Sequence, residues 1–291
     1  MRALTMKTLN GKLALITGGS SGIGLALACK LFASGASVVI LSRGQQRLDE
    51  ALKKIEAFRQ NPAQKLSALS ADVSDAPGIA RALTELKAKV GVPDLLINCA
   101  GVAKPGYAEL MPLEDFRWMM DIDYHGTVHV TQALLPDFIA RGSGHIVNFS
   151  SLAGVLGIFG YTAYCGAKFA VRGYTDALRS EMKPRGITVS CVYPPDTDTP
   201  QLAWENQYKP FETRTIAGSD KPLSADAVAE SILRDIRKDK IAIVPGAEAK
   251  LIYFAATRLG GLVYPLMDLL VRQASKKKAA IAAAHPDTED S

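Results

Sequence analysis

The sequence predicts a doubly wound α/β fold built around one parallel sheet. Short apolar runs alternate with longer stretches of helical periodicity along the first two thirds of the chain. The apolar runs lack polar alternation, which is typical of parallel strands that helices cover on both faces. The 291 residues, 48% of them hydrophobic, provide enough material for the core of one domain of this class.

Six runs rich in aliphatic and β-branched residues predict the buried strands, and a short seventh run is a candidate for the last strand. These runs are 13–16, 37–41, 66–70, 95–98, 145–149, 188–193 and, last, 241–244. Helical periodicity marks the stretches 24–34, 46–59, 77–90, 115–141, 164–183 and 224–238. Repeated strand–helix units imply right-handed crossovers between parallel strands.

Composition excludes several other classes. The net charge of +5 is mild, and three of the positive charges form one local patch at 276–278, so we do not expect nucleic acid as a partner. Four scattered cysteines without a paired spacing predict neither a disulfide framework nor a metal site. They suit free thiols in a reducing compartment. No export signal is evident at the N-terminus, so we expect a protein that is not secreted.

A glycine-rich segment follows the first predicted strand and opens the first predicted helix. It reads Thr-Gly-Gly-Ser-Ser-Gly-Ile-Gly over 17–24. Glycines at such a place allow a tight turn and let the backbone approach a pyrophosphate, which then rests on the helix N-terminus. The expected cofactor contacts here are Thr17, Gly18, Ser20, Ser21, Gly22, Ile23 and Gly24.

The end of the second predicted strand carries Arg43 and no acidic residue. An acid at this point would accept the ribose hydroxyls of NAD. Arg43 and Arg47 instead suit a 2′-phosphate, through charge-assisted hydrogen bonds. We therefore expect NADP(H) as the cofactor. The alternative is that both arginines are solvated charges at the start of a helix.

Two further strand ends carry residues that suit a cofactor. Asp72 and Val73 follow the third strand, where a side chain can reach the adenine. Asn98, Ala100 and Gly101 end the fourth strand, where small residues let the backbone lie against the cofactor. Taken singly, each segment is equally compatible with an ordinary turn.

Tyr164 and Lys168 are the candidate chemical centre. Their i,i+4 spacing sets both side chains on one face of the predicted helix. A neighbouring ammonium and the positive nicotinamide of an oxidised cofactor are expected to lower the pKa of the phenol from its ordinary value of about 10. Tyr164 would then exchange a proton with a carbonyl or carbinol oxygen. Ser151 would hydrogen-bond the same oxygen.

A lone Tyr-x-x-x-Lys is more often coincidental, but this one is joined to TGGSSGIG, NCAG and a serine thirteen residues before the tyrosine. In this order and spacing the motifs resemble the short-chain dehydrogenase/reductase family, from about residue 10 to residue 245. The resemblance implies a Rossmann-type sheet of about seven strands and hydride transfer on nicotinamide. It implies that Tyr164 is the acid/base and that Ser151 orients the substrate oxygen. Lys168 would bind the nicotinamide ribose and lower the pKa of the tyrosine.

One departure from the family pattern concerns proton transfer. Three residues before Gly126 the family usually has an asparagine that supports a water relay toward the lysine, and this sequence has Asp123. A relay through the backbone carbonyl would tolerate Asp123, whereas one that needs the amide donor would be altered. Asp123 is therefore a further candidate catalytic residue. The family also implies a homo-oligomer assembled through the helices 115–141 and 164–183.

The segment 194–222 is rich in Pro, Thr and Asp, which predicts a substrate loop or short helices beside the strand ends. Its opening, Tyr-Pro-Pro-Asp-Thr-Asp-Thr-Pro, replaces the Pro-Gly turn usual in the family, so Pro194, Thr197 and Thr199 are expected to contact the cofactor. With the preceding GIFGYTAYCGAKFAVRGYTDALRSEMKP, this octet resembles the 3-ketodihydrosphingosine reductases of that family. The resemblance implies reduction of a long-chain lipid ketone to sphinganine by NADPH. Asp196 or Asp198 could pair with the substrate ammonium, or both could cap turns.

An apolar helical extension, 249–275, is predicted to follow the catalytic domain, which comprises 1–248. Gly260, Gly261 and Pro265 predict two short helices with a break, and disorder is expected over 276–291. The extension lacks the roughly 20 apolar residues of a membrane span. Its basic flanks favour peripheral contact of 249–278 with the cytoplasmic side of a membrane. A subunit interface or a cover over the substrate channel is the alternative.

Three functions are compatible with these observations. The first is NADPH-dependent reduction of a 3-keto sphingoid base in sphingolipid biosynthesis. The second is reduction or dehydrogenation of another hydrophobic ketone or alcohol, such as a fatty acyl or steroid-like compound. The third, of another class, is a cofactor-binding regulatory scaffold with residual activity. Intact Ser151, Tyr164 and Lys168 argue against the scaffold.

Overall fold

A seven-stranded parallel sheet forms the centre of the fold in a computed structural model that describes residues 8–217 and 221–284. The strands are β1 (Leu13–Thr17), β2 (Ser37–Ser42), β3 (Leu66–Ser70), β4 (Leu95–Asn98), β5 (Gly144–Phe149), β6 (Ile187–Val192), β7 (Thr197–Asp198), β8 (Leu223–Ser224) and β9 (Ala242–Ile243). Seven of them are ordered β3-β2-β1-β4-β5-β6-β9, and β7 pairs separately with β8. The predicted doubly wound sheet is confirmed.

Eleven α-helices are described within 8–217 and 221–284. They are α1 (Gly22–Ala33), α2 (Gln45–Glu56), α3 (Ala76–Val90), α4 (Leu113–Met119), α5 (Gly126–Arg141), α6 (Thr162–Met182), α7 (Pro200–Glu205), α8 (Phe211–Ala217), α9 (Ala225–Ile236), α10 (Ala247–Arg258) and α11 (Tyr264–Ala284). The segment 194–222 thus contains short helices, as predicted.

The two faces of the sheet hold separate apolar cores. Side chains alternate along a strand, so Ile16 of β1 enters the core beneath α1, α2 and α9, whereas Leu15 enters the core beneath α3, α5 and α6. The largest buried side chains of the two cores include Phe32 and Phe138. Burial on both faces explains why the strand sequences show little polar alternation.

The stretch 115–141 differs from the single α-helix that its periodicity predicts. A π-helical turn, Met120–His125, separates α4 from α5. Such a wide turn holds one residue more than an α-helical turn and changes the direction of the side chains around it. It leaves the side chain of Asp123 fully buried. Hydrophobic periodicity does not reveal one wide turn in an otherwise helical stretch.

The C-terminal segment forms α10, a 3-10 turn at Gly260–Val263 and α11. Gly260 has a φ of +54°, so the helical path of the chain is interrupted there. Pro265 lies in the first turn of α11, where a missing backbone N–H is tolerated. Because α11 runs to Ala284, the expectation of disorder is wrong for 276–284, and 285–291 lie outside the described residues. No described helix has the length and apolarity needed to span a membrane.

Candidate active site

A cavity of about 710 Å³ lies at the carboxyl ends of the strands, beside the point where the chain order of the sheet reverses between β1 and β4. Open α/β sheets bind their ligands at this place. Three groups of segments supply its wall: the loops after β1, β4 and β5 together with the start of α6, the segment 194–223, and the C-terminal helices. Among the lining residues are Gly18, Ser21, Gly22, Ile23, Gly24, Ala100, Gly101, Ser151, Tyr164, Lys168, Pro194, Thr197 and Thr199.

The glycine loop leaves a helix N-terminus open to the cavity. Gly18 has a φ of +69°, and a Cβ there would lie 2.9 Å from the Cα of Ala100. A Cβ on Gly24 would overlap the carbonyl oxygen of Gly18. No side chain caps α1, and no acid lies in its first turn, so its first N–H groups and its positive dipole end are free for an anion. The loop therefore fits a pyrophosphate.

Thr17 and Asn98 stand behind the cavity wall. The Thr17 hydroxyl accepts hydrogen bonds from the backbone N–H groups of Cys99 (3.1 Å) and Ala100 (3.0 Å). The Asn98 amide donates to Thr131 and Asn148, each at 2.9 Å. Thr17 thus holds the loop after β4, and Asn98 joins β4 to β5 and α5. Both side chains are buried outside the cavity lining, so we infer that they do not themselves touch a ligand.

The residues predicted for the adenosine end lie outside the cavity, around the ends of β2 and β3. Arg43 is exposed, with one guanidinium nitrogen 3.8 Å from a carboxylate oxygen of Asp72. Arg47 is exposed as well. The Ser20 hydroxyl donates a hydrogen bond of 3.0 Å to the Ser42 hydroxyl at the end of β2. Val73 is buried against Gly126. The arrangement leaves Arg43 accessible for a phosphate, but its charge is partly offset by Asp72.

Tyr164 and Ser151 meet at the inner end of the cavity. Tyr164 lies in the first turn of α6, and Ser151 precedes a short 3-10 turn after β5. Both side chains line the cavity, and Ser151 lies near enough to the Tyr164 phenol to lower its pKa. A Cβ on Gly154 would overlap the Ser150 hydroxyl, so this glycine lets the serine loop pack against α6. The predicted pair is brought together.

Lys168 and Asp123 form a buried ion pair next to this phenol. The Lys168 ammonium lies 3.7 Å from one Asp123 oxygen and donates to the Phe149 carbonyl at 3.2 Å. The same Asp123 oxygen accepts from the Val102 N–H at 2.8 Å, and burial raises the pKa of Asp123 to about 6. The second oxygen has no partner among the described residues. Asp123 therefore holds Lys168 and the loop after β4 together.

The expected lowering of the tyrosine pKa is not found in the protein alone. Burial raises the pKa of Tyr164 well above its ordinary value, and the charges of Glu205 and Asp123 raise it further. The Lys168 ammonium lies 5.5 Å from the Tyr164 ring centre. Asp123 offsets that positive charge, and the lowering expected with a positive nicotinamide beside the phenol stays a prediction for the cofactor-bound enzyme.

The segment 194–223 folds over the substrate side of the cavity. Pro194, Thr197 and Thr199 line it, and the Thr199 hydroxyl caps α7 by accepting from the Leu202 N–H at 3.3 Å. The carboxylate of Asp196 lines the cavity too, but it lies 3.3 Å from the Lys209 ammonium. Asp198 is exposed and is not part of the wall. Neither predicted carboxylate is therefore a free, buried partner for a substrate cation.

Sequence reasoning missed a third carboxylate, that of Glu205. It is buried in the cavity wall near Tyr164 and accepts a hydrogen bond of 2.9 Å from the hydroxyl of Tyr161. Tyr161 also lines the cavity. Glu205 stands in no motif, and only the folding of α7 back over the strand ends brings it to this place.

The C-terminal helices close the cavity on another side. Apart from the exposed Glu248 at the start of α10, the lining residues of these helices and of the turn between them are small or apolar: Ala247, Ala249, Ile252, Ala255, Val263, Leu266, Met267 and Leu270. On the outside, the Lys278 ammonium of α11 lies 2.9 Å from the Tyr107 hydroxyl, which donates to Glu212 of α8 at 2.7 Å. These helices thus cover the cavity, which was one of the predicted alternatives.

Comparison with known proteins gives consistent results. The short chain dehydrogenase family matches residues 12–209. A 3-dehydrosphinganine reductase of Danio rerio is 40% identical over 228 residues, which cover 78% of this chain and 69% of the relative. A 3-ketodihydrosphingosine reductase of Dictyostelium discoideum is 35% identical over 295 residues, which cover 97% of this chain and 88% of that one.

Among solved structures, the crystal structure of levodione reductase superposes with a TM-score of 0.74 at 25% identity, covering 84% of this chain and 98% of the other. The family match spans more than half of the chain, and the site has the glycine loop and the serine, tyrosine and lysine in one cavity. The chain therefore belongs to the short-chain dehydrogenase/reductase family and is an oxidoreductase of that family.

Proposed function

We propose that this chain reduces 3-ketodihydrosphingosine to sphinganine with NADPH, as a step of sphingolipid biosynthesis. The observation that carries the proposal is the cavity itself, which has the Ser151–Tyr164 pair at its inner end and an apolar wall from α10 and α11. A long-chain ketone needs both features. The names of the relatives from Danio rerio and Dictyostelium discoideum support the same substrate.

In this mechanism the ketone oxygen accepts hydrogen bonds from the hydroxyls of Ser151 and Tyr164. The nicotinamide, when bound, supplies a hydride to the carbonyl carbon. Tyr164 gives its proton to the oxygen on which negative charge develops, which requires a neutral phenol before the reaction. Its raised pKa keeps the phenol neutral at physiological pH, which suits the direction of reduction. Lys168 is held at the base of the site by Asp123 and by the Phe149 carbonyl.

Arg43 supports the choice of NADPH over NADH. Its exposed guanidinium lies at the end of β2, where an acid would be expected for NAD. A guanidinium binds a phosphate through two parallel charge-assisted hydrogen bonds. The nearby Asp72 offsets the positive charge of Arg43 only partly, because its carboxylate also accepts hydrogen bonds from the N–H and the hydroxyl of Ser74.

The proposal is tested by following NADPH oxidation at 340 nm with 3-ketodihydrosphingosine in mixed micelles, with NADH in parallel. We expect sphinganine as the product and clear preference for NADPH. Arg43→Ala is expected to raise the KM for NADPH about 10-fold or more, and to leave the KM for NADH within a factor of about two. Equal use of both cofactors by the wild type would overturn the role of Arg43.

The same assay separates the alternative functions. A panel of fatty acyl and steroid-like ketones tests whether another hydrophobic substrate is turned over with a higher kcat/KM. A protein that binds NADPH but turns over none of these ketones would fit the regulatory scaffold. A Ser151, Tyr164 and Lys168 constellation within one cavity favours the enzyme over the scaffold.

We further propose that the outer face of α10, α11 and the 3-10 turn between them contacts the cytoplasmic side of a membrane, where a lipid ketone would be encountered. Leu251, Phe254 and Leu262 are 68%, 57% and 76% exposed, and Lys250 and Arg272 flank this face. Apolar side chains with basic neighbours favour an interface that contains anionic lipid.

Co-sedimentation with vesicles tests this contact. We expect binding to vesicles that contain anionic phosphatidylserine, and a reduction of about 10-fold in the variant Phe254→Asp/Leu262→Asp. Phe58→Asp changes an exposed aromatic residue on another part of the surface and serves as the control. Equal binding by all three proteins, or none by the wild type, would contradict the proposal.

A further inference from the structure

Glu205 places a buried carboxylate in the cavity wall without a cationic partner. The residue is only 7% exposed, and its two hydrogen bonds of 2.9 Å come from the neutral donors Tyr161 and Gln201. Within 8–217 and 221–284, no salt bridge of 4.0 Å or less joins Glu205 to a basic side chain. A buried carboxylate in such surroundings is costly unless a cation is supplied.

The other buried charges of the wall are already paired. Lys168 lies beside Asp123, and the buried ammonium of Lys209 lies 3.3 Å from Asp196. Lys209 is near enough to lower the pKa of Glu205, but burial, which raises that pKa, is the larger effect. Two rim residues, Lys221 and Glu248, are exposed to solvent. The salt bridge of Lys209 goes to the exposed Asp196, so Glu205 is the buried carboxylate of the wall whose hydrogen-bond donors are all neutral.

The Glu205 carboxylate is linked to Tyr164 through Tyr161. The rings of Tyr161 and Tyr164 are neighbours, with centroids 5.8 Å apart, and Tyr161 donates to Glu205. Burial is the main cause of the raised pKa of Tyr164, and the negative charge of Glu205 is the next largest. In a 2-amino-3-ketone, the ammonium is borne by the carbon next to the carbonyl. The ammonium is therefore close to the ketone oxygen, and a substrate whose oxygen meets Tyr164 brings its ammonium to the part of the wall that holds Glu205.

We propose that Glu205 binds the ammonium group of the substrate and so gives the enzyme its preference for an amino ketone over an amine-free ketone. Tyr161 and Gln201 are positioning residues, because their hydrogen bonds hold the carboxylate toward the cavity. This inference rests on the proposed function and names the group by which that substrate is recognised. It assigns to Glu205 the role that the sequence had suggested for Asp196 or Asp198.

The test compares two ketones in wild type and in Glu205→Gln. One is 3-ketodihydrosphingosine, and the other is the hydroxyketone of the same chain length without the amine. Glutamine keeps an oxygen that can accept from Tyr161, so the fold should survive. We expect kcat/KM for the amino ketone to fall about 30-fold or more, mainly through KM, and kcat/KM for the amine-free ketone to change less than about 3-fold.

Two further variants sharpen the comparison. Asp198→Asn removes an exposed carboxylate of the same segment and is expected to leave kcat/KM for both ketones unchanged. Glu205→Asp keeps the charge on a shorter side chain and is expected to restore part of the preference for the amino ketone. NADPH binding and circular dichroism establish that each variant is folded.

The outcomes separate this inference from the proposed function. An equal fall for both ketones, or no fall for the amino ketone, would overturn the ammonium site and leave the reductase activity standing. A wild type that reduces only amine-free ketones would overturn both the substrate and the site. A loss confined to the amino ketone, restored in part by Glu205→Asp, would support the proposal.

Discussion

Tyr164→Phe is expected to lower kcat for ketone reduction at least about 1,000-fold, because the proton donor is removed at the atom where charge develops. The phenylalanine ring keeps the contact with Tyr161 and fills the same buried space. NADPH binding, measured by fluorescence titration, should remain within about 3-fold of the wild-type value, since the phenol hydroxyl is only one of many cofactor contacts. Steady-state and single-turnover rates together report the loss in the chemical step.

Tyr161→Phe is the matched comparison, since it removes a phenol hydroxyl three residues away. That hydroxyl donates to Glu205 and does not face the proposed ketone oxygen. We expect a fall in kcat/KM of about 10-fold or less, mostly through KM. Retention of more than a tenth of wild-type kcat in Tyr164→Phe, or equal losses in the two variants, would rule out Tyr164 as the acid.

Lys168→Met is expected to destabilise the protein by about 3–5 kcal/mol at pH 8, because it leaves the buried Asp123 carboxylate without its cation. The methionine side chain has similar length and removes only the ammonium. We also expect kcat/KM to fall about 100-fold or more, since the hydrogen bond to the Phe149 carbonyl and the charge at the base of the site are lost together. Urea unfolding and steady-state kinetics measure the two effects.

The destabilisation should depend on pH in a defined direction. The pKa of Asp123 is raised from its ordinary value of 3.8 to about 6 in the folded wild type. Between these two pH values the unfolded chain loses the proton more readily than the folded one, so the stability of the wild type falls as the pH rises. Without Lys168, that pKa is higher still, and the variant should continue to lose stability above pH 6. The difference between the two proteins is therefore expected to grow between about pH 6 and pH 8.

The double variant Asp123→Asn/Lys168→Met provides the control. It has no buried carboxylate at this position, so its stability should show little of the additional loss above pH 6. Its activity should stay low, because the ammonium is still missing. A double variant as unstable as Lys168→Met at pH 8 would show that the Asp123–Lys168 pair is not the origin of the effect.

Local sequence determined the parts of the site that lie within single loops and helices. The glycine loop could be predicted because its conformation requires glycine at Gly18 and Gly24, and the Tyr164–Lys168 pair because helical spacing alone sets both on one face. The strands could be located because side chains buried on both faces of the sheet leave apolar runs without polar alternation. Thr17 differs from the prediction of a cofactor contact, because its hydroxyl accepts hydrogen bonds from the backbone of the loop after β4.

Features that depend on distant parts of the chain could not be predicted in this way. The ion pair of Lys168 with Asp123 needs the π-helical turn, and the pKa of Tyr164 depends on that pair and on Glu205. Glu205 reaches the cavity only because α7 folds back over the strand ends. The helical continuation of α11 to Ala284 is accompanied by the contact of Lys278 with Tyr107 and Glu212, residues far away in the sequence.

The division of the cavity wall among three groups of segments has a consequence for how such enzymes diversify. The proposed proton-transfer groups lie on α6 and on the loop after β5, whereas the apolar wall proposed to face a substrate tail comes from the C-terminal helices. Insertions, deletions or exchanges at the end of the gene would reshape the accepted chain length while leaving the proton-transfer groups intact. If the proposed substrate is right, chimeras of this chain joined near Gly246 are expected to change its chain-length preference.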